Sequence, residues 1–223
     1  MLKQRESFKL RDHLPYALAA VTPFLINDLI DLVIVSQRAW VFWTYIVTYP
    51  IPLTAVVLWL RRFGLTTQEL GLNRIPFRRL ASETLITTGL GFFVTIGVFR
   101  YLKMLLPAGL VFVRPDIDED MLLLGDMTIG LTLVAVTEEL VFRGLLLSIF
   151  DRWFSSQDLA AISAGLLFAL IHWSQGIPVM FATFFVALVF TWRFRVCESL
   201  YPLMSAHYFI NFIGPFLNWI RFL

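Results

Sequence analysis

Residues 131–147 read LTLVAVTEELVFRGLLL, a run apolar enough to cross a membrane that nevertheless carries Glu138, Glu139 and Arg143 at its centre. As an α-helix it puts Glu139 and Arg143 one turn apart on one face, with the acid on the N-terminal side where the pairing is better. Glu138 points about 100° away from that pair and has no partner within its own helix. An ionisable side chain in hydrocarbon costs roughly 2.5 to 3.5 kcal/mol, so residues of this kind pair, line a cavity or do chemistry. A carboxylate left over in a low-dielectric setting has the character of a general base. On this stretch alone a purely structural clamp between helices stays open.

The rest of the chain agrees with a membrane setting. Of 223 residues, 58% are hydrophobic and 15% charged, and the mean hydropathy is +0.76; soluble domains run about 45 to 50% apolar and about 25% charged. A soluble core, disorder, collagen and coiled coil are all excluded. The net charge of +2 gives no footprint for nucleic acid, and the single cysteine, Cys197, excludes an internal disulfide or a cysteine-rich zinc site. Runs near 15–37, 39–60, 82–105, 121–150, 159–173, 178–194 and 200–221 predict an all-α, polytopic transmembrane helix bundle of about seven spans, the fifth reaching only mid-membrane. The chain reads as a single integral membrane domain over 1–223, with the charged and histidine-bearing core in 121–215.

Lys and Arg gather in alternate segments: the N-terminal tail, the stretch 61–81, Arg152, and Arg193 with Arg195. By the positive-inside rule the N-terminus is expected in the cytoplasm of a multi-pass cell-membrane protein, and seven spans leave the C-terminus outside. The apolar run after the basic tail is long and lacks a cleavage site, so it reads as an anchor rather than a signal peptide. Residues 61–81 are too polar to span and suit a basic interfacial helix on anionic headgroups. Loop 107–120, ending in four acids within five residues, reads as a solvated outer loop. Pro50 and Pro52 are expected to kink the second span.

Three further polar clusters lie in apolar runs: Asn27, Asp28 and Asp31 in the first span, His172 in the fifth, and His207 with Asn211 in the last. Of the three histidines, His13 belongs to the basic tail. His207 and Asn211 are one helical turn apart, so the carboxamide can orient the imidazole or donate beside it. Phe168 shares the face of His172 and can wall the site. From the cytoplasmic helix ends, Glu138 lies roughly 18 Å deep, His172 roughly 20 Å and His207 roughly 10 Å; His207 is shallower by about two turns, a difference that the start of its helix and Gly214-Pro215 can absorb, so a convergent site is geometrically allowed. Asp28 and Asp31, three apart on one face, either line a hydrated entrance or contact a substrate, or else pair with Arg or backbone groups of neighbouring helices. Trp40, Trp59, Trp173 and Trp219 read as interfacial anchors.

Three motifs in order, Glu138-Glu139-Leu-Val-Phe-Arg143, Phe168-Ala-Leu-Ile-His172 and His207-Tyr-Phe-Ile-Asn211, resemble the EExxxR, FxxxH and HxxxN signature of the CAAX prenyl protease type II and bacteriocin-processing (CPBP, Abi) intramembrane proteases. The resemblance implies peptide-bond hydrolysis in the membrane. Glu138, assisted by His172, would activate water, His207 and Asn211 would stabilise the oxyanion, and Glu139, Arg143 and Phe168 would structure the site. It further implies membrane lipids and a membrane-anchored or lipidated peptide as partners: a prenylated C-terminus, a bacteriocin leader or a sorting tail. Metal-free glutamate catalysis is the expectation, with zinc held by Glu138, His172 and His207 as the alternative; HExxH is absent. A proton-coupled transporter and a non-catalytic scaffold or bacteriocin-immunity protein are the competing readings, and no internal repeat supports the former.

Overall fold

In hydrocarbon every backbone N–H and C=O must find its partner within the chain, and the architecture answers with helices alone: no strand occurs among the described residues. The computed structural model describes residues 9–33, 36–105 and 120–219. Residues 1–8 of the basic N-terminal tail, all of loop 107–120 but Asp120, and the side chains of Asp31 and Trp219 lie outside that description.

Helix α1 is Leu10–Val33, α2 is Gln37–Phe42, α3 is Pro50–Phe63 and α4 is Phe77–Leu105. Then come α5 (Asp120–Gly125), α6 (Leu131–Glu139) and α7 (Leu147–Trp153), joined by π-helical segments Asp126–Gly130 and Leu140–Leu146 into one rod. Helix α8 is Gln157–Leu170, followed by a 3-10 turn at Trp173–Gln175, α9 (Ile177–Cys197) and α10 (Tyr201–Trp219).

Among the described residues, three stretches are long and apolar enough to cross a membrane by themselves: Arg38–Phe63, Phe77–Leu102 and Ile177–Cys197. That is fewer than the seven runs read from the sequence. The α5–α7 rod carries the Glu138, Glu139 and Arg143 charges at its centre. Helix α8, with 14 residues, is about 21 Å long, short of a hydrocarbon core of about 30 Å. Before Pro50 the helix widens into a π segment, Trp43–Thr48, with the Tyr49 N–H bonded to Thr44 O five residues back. The widened turn accommodates the proline ring and its missing donor.

Helix α9 packs between α4 and α8, α10 lies against α4 and α6, and α1 lies against α3. Gly91 permits the approach of α4 to α10, since a Cβ there would stand 2.6 Å from Ile210 Cδ1. At one end of the bundle His13 is buried rather than part of a tail: it accepts a hydrogen bond from Trp59 Nε1 (2.9 Å) and stacks on Phe63 at 4.0 Å. Trp59 is therefore a core residue, 1% exposed, and not an interfacial anchor. Arg195 bonds Asp151 (2.8 Å) and Arg79 donates to Val196 O (3.3 Å). The start of α1 and the α3–α4, α7–α8 and α9–α10 connections thus share one end, where Arg74 lies on a connection and Arg61, Arg62, Arg78 and Arg152 lie in the helix turns next to one.

Between Gly64 and Pro76 the basic segment is turn and irregular backbone, not the interfacial helix expected for it. It dips into the bundle. Leu70 is 2% exposed and lies over Gly144, where a Cβ would meet Leu70 Cδ1 at 2.7 Å. Gly71, at φ 97°, accepts the Leu200 N–H through its carbonyl (2.8 Å). Leu70 and Gly71 thus lie between Gly144 of the rod and the start of α10. His207 is nevertheless level with the paired glutamates, since its Nδ1 meets Glu139 Oε1 at 2.9 Å.

Gly144→Val should therefore destabilise the protein by about 1 to 3 kcal/mol through overpacking, and Leu70→Ala in the same chain should recover part of the loss. Thermal unfolding in detergent measures both. An unchanged melting temperature for Gly144→Val would contradict the close seating of Leu70.

Candidate active site

The rod, α8 and α10 each supply one part of the site. In the rod, the turn after Glu139 opens into π-helical hydrogen bonding, with the Leu147 N–H bonded to Phe142 O five residues back; such segments recur at functional sites. Arg143 Nη1 donates to Glu139 Oε1 at 3.0 Å, with both side chains essentially out of solvent. This is the ion pair that the spacing predicts.

The same oxygen meets His207 Nδ1 at 2.9 Å. On the far side of the imidazole, Nε2 lies 3.7 Å from Glu138 Oε2. His207 therefore bridges the two adjacent glutamates, and its orienting partner is Glu139 from the rod, not Asn211. Asn211 is half-buried one turn further along α10, and no hydrogen bond to it is found among the described residues.

Helix α8 begins at Ser156, whose hydroxyl accepts the N–H groups of Asp158 and Leu159, and its buried face brings in Phe168. The Phe168 ring lies 5.0 Å from the His172 ring, 6.2 Å from that of His207 and 5.0 Å from that of Phe142. The Arg143 guanidinium stands over it with Cζ at 4.6 Å and faces Phe190 of α9 at 5.3 Å. Aromatic faces so placed attract a desolvated cation, which helps to retain Arg143 in the interior. Phe168 is thus a shared wall between the two imidazoles.

His172 stands just past the end of α8, with Nδ1 2.8 Å from Phe168 O. A carbonyl only accepts, so Nδ1 carries the proton of that bond and Nε2 is the basic nitrogen of the neutral ring.

In α1, Asn27 Oδ1 accepts from Thr44 and Thr48 (3.1 and 3.2 Å), and Asp28 Oδ2 accepts the Ser174 N–H at 2.8 Å. Of the two readings for this cluster, both residues follow the one that pairs them with neighbouring elements. The motifs did not reveal Asp28 or Phe190. Asp28 was marked only by being an acid in an apolar run, and Phe190 by nothing at all.

Three buried atoms of the site have no hydrogen-bond partner among the described residues: Glu138 Oε2, Glu139 Oε2 and Arg143 Nη2. Their capacity suits small polar groups. A metal ion is served less well: among the described residues no three His, Cys, Asp or Glu side chains are grouped to hold one, and Glu138, His172 and His207 do not form such a group.

Fold and site together define a helical membrane bundle with an acid and imidazole centre enclosed between the rod, α8 and α10. Residues 120–213 match the family model described as "Rce1-like: Type II CAAX prenyl endopeptidase Rce1-like", and this stretch contains all three motifs. The match bears out the resemblance drawn from those motifs and supports a protease; α1 to α4 lie outside it. No curated protein and no solved structure matches the chain.

Proposed function

We propose that this chain is an intramembrane endopeptidase that hydrolyses a peptide bond near the membrane-associated end of a lipidated or membrane-anchored protein, using water activated by Glu138. The observation that supports this most is the convergence of Glu138, Glu139 and His207, from two separate helices, around buried oxygen and nitrogen atoms that have no hydrogen-bond partner among the described residues.

Glu138 takes a proton from water as the oxygen attacks the scissile carbonyl carbon, and later passes it to the departing amine nitrogen as the C–N bond breaks. His172, held through Nδ1–H, turns its basic Nε2 to the same task. Protonated on both nitrogens, His207 donates to Glu139 through Nδ1 and to the oxyanion through Nε2, with the Asn211 carboxamide as second donor. One such donor is worth about 2.7 to 4 kcal/mol in the transition state. Glu139 and Arg143 hold the imidazole and balance the buried charge. The arginine-rich end of the bundle is assigned to the cytoplasm, together with the N-terminus, and a prenylated C-terminal peptide would approach from that side.

The test is purified protein in liposomes with a peptide bearing a prenylated C-terminal cysteine, assayed in ¹⁸O-water. Mass spectrometry should find a single ¹⁸O atom in the new carboxylate, and faster turnover of the prenylated peptide than of its unmodified counterpart. An intact substrate, or cleavage without ¹⁸O, would refute hydrolysis. Dialysis against a chelator should leave the turnover unchanged. Loss of one equivalent of zinc together with activity would replace glutamate catalysis by a metal centre.

A further inference from the structure

We propose that Asp28 is a positioning residue for this centre: from α1 it fixes the turn that carries His172 by accepting the Ser174 N–H. The inference rests on the reading that His172 takes part in water activation. Helix α8 ends at Leu170, and His172 leaves helical geometry at φ −110° and ψ 20°. One 3-10 turn follows before Gly176, at φ 92°, opens α9. A single turn placed between two helices has few hydrogen bonds of its own, and its first N–H groups need outside acceptors.

Asp28 supplies one at 2.8 Å while only 4% exposed. A carboxylate acceptor makes a shorter and roughly twofold stronger bond than a neutral one. The opposite side of the turn is held by the His172 ring itself, through Phe168 O. The imidazole is thus clamped from α8 and from α1. Helix α1 is in turn seated on the rod by Phe24, 5.9 Å from the Phe142 ring. The N-terminal helices, which carry no motif, join the site at this point.

The full-length protein, reconstituted in lipid nanodiscs with ¹⁵N-labelled histidine, tests this directly. Only three histidines exist, and His172→Gln assigns the His172 ring signals. In the unaltered protein His172 should show the tautomer protonated at Nδ1. Asp28→Ala should move those signals toward a mixture of tautomers and lower kcat about 10- to 100-fold, the cost of a misplaced catalytic group, with little change in KM. Asp28→Asn, which keeps an acceptor for Ser174, should restore both the signals and most of kcat.

Unmoved His172 signals together with unaltered kcat in Asp28→Ala would overturn the proposal. So would Asp28→Asn shifting the His172 signals, and this comparison serves if the alanine variant does not fold. The ring signals report on Asp28 whether or not peptide hydrolysis proves to be the activity, so a failure here is distinguishable from a failure of the proposed function.

Discussion

Replacing Glu138 by Gln should lower kcat for peptide hydrolysis roughly 10²- to 10⁴-fold, the range expected for loss of a general acid–base group, with the melting temperature almost unchanged. The contrast follows from the bonding. Glu139 holds both Arg143 and His207, whereas Glu138 lies 3.7 Å from His207 and its Oε2 makes no hydrogen bond among the described residues. An amide of the same shape leaves that framework standing and removes only the ability to take a proton. Turnover by the reconstituted variant measures the first effect, and thermal unfolding the second. Full activity in Glu138→Gln would exclude glutamate catalysis and return the chain to the scaffold reading.

Glu139→Ala should have the opposite profile, a large loss of stability accompanied by loss of activity. It strips the partner from an arginine that is 2% exposed and removes the acceptor that orients His207. Breaking a buried ion pair from one side costs about 3 to 5 kcal/mol, because the remaining charge is stranded; replacing both partners by apolar residues of similar volume is far cheaper. The double variant Glu139→Leu with Arg143→Met should therefore be more stable than Glu139→Ala alone, yet remain inactive because His207 has lost its acceptor. Unfolding in detergent and the hydrolysis assay check the two halves. A double variant less stable than the single would show that the pair acts chiefly through contacts other than mutual neutralisation.

Much of the site was legible in local spacing. The Glu139 and Arg143 pairing is a one-turn relation on one helix, and the shortness of the fifth apolar run appears as α8. The alternation of arginines along the chain reappears as one arginine-rich end. Relations between helices were not legible. His207 finds its acceptor in Glu139 rather than in its own neighbour Asn211, because the α10 face meets the rod. Its depth could not be read from distance along α10 alone, and a run rich in arginine gave no sign that Leu70 dips inward onto Gly144. His13 and Trp59 were read from their positions near span ends, whereas packing of α1 on α3 buries them together. Asp28 was visible as an acid without a role, and only the tertiary fold pairs it with a backbone N–H 146 residues further along the chain.

The central claim is that one buried imidazole stands between two neighbouring acids, one holding it and the other facing the substrate. The direct measurement is solid-state NMR in bilayers, detecting ¹⁵N–¹³C dipolar coupling between histidine ring nitrogens and glutamate carboxyl carbons. Both ring nitrogens of His207 should couple to glutamate carboxyl carbon, and Glu138→Gln should abolish the coupling at Nε2 while preserving that at Nδ1. Absence of coupling at Nε2 in the unaltered protein, or its survival in Glu138→Gln, would contradict the arrangement on which the proposed chemistry depends.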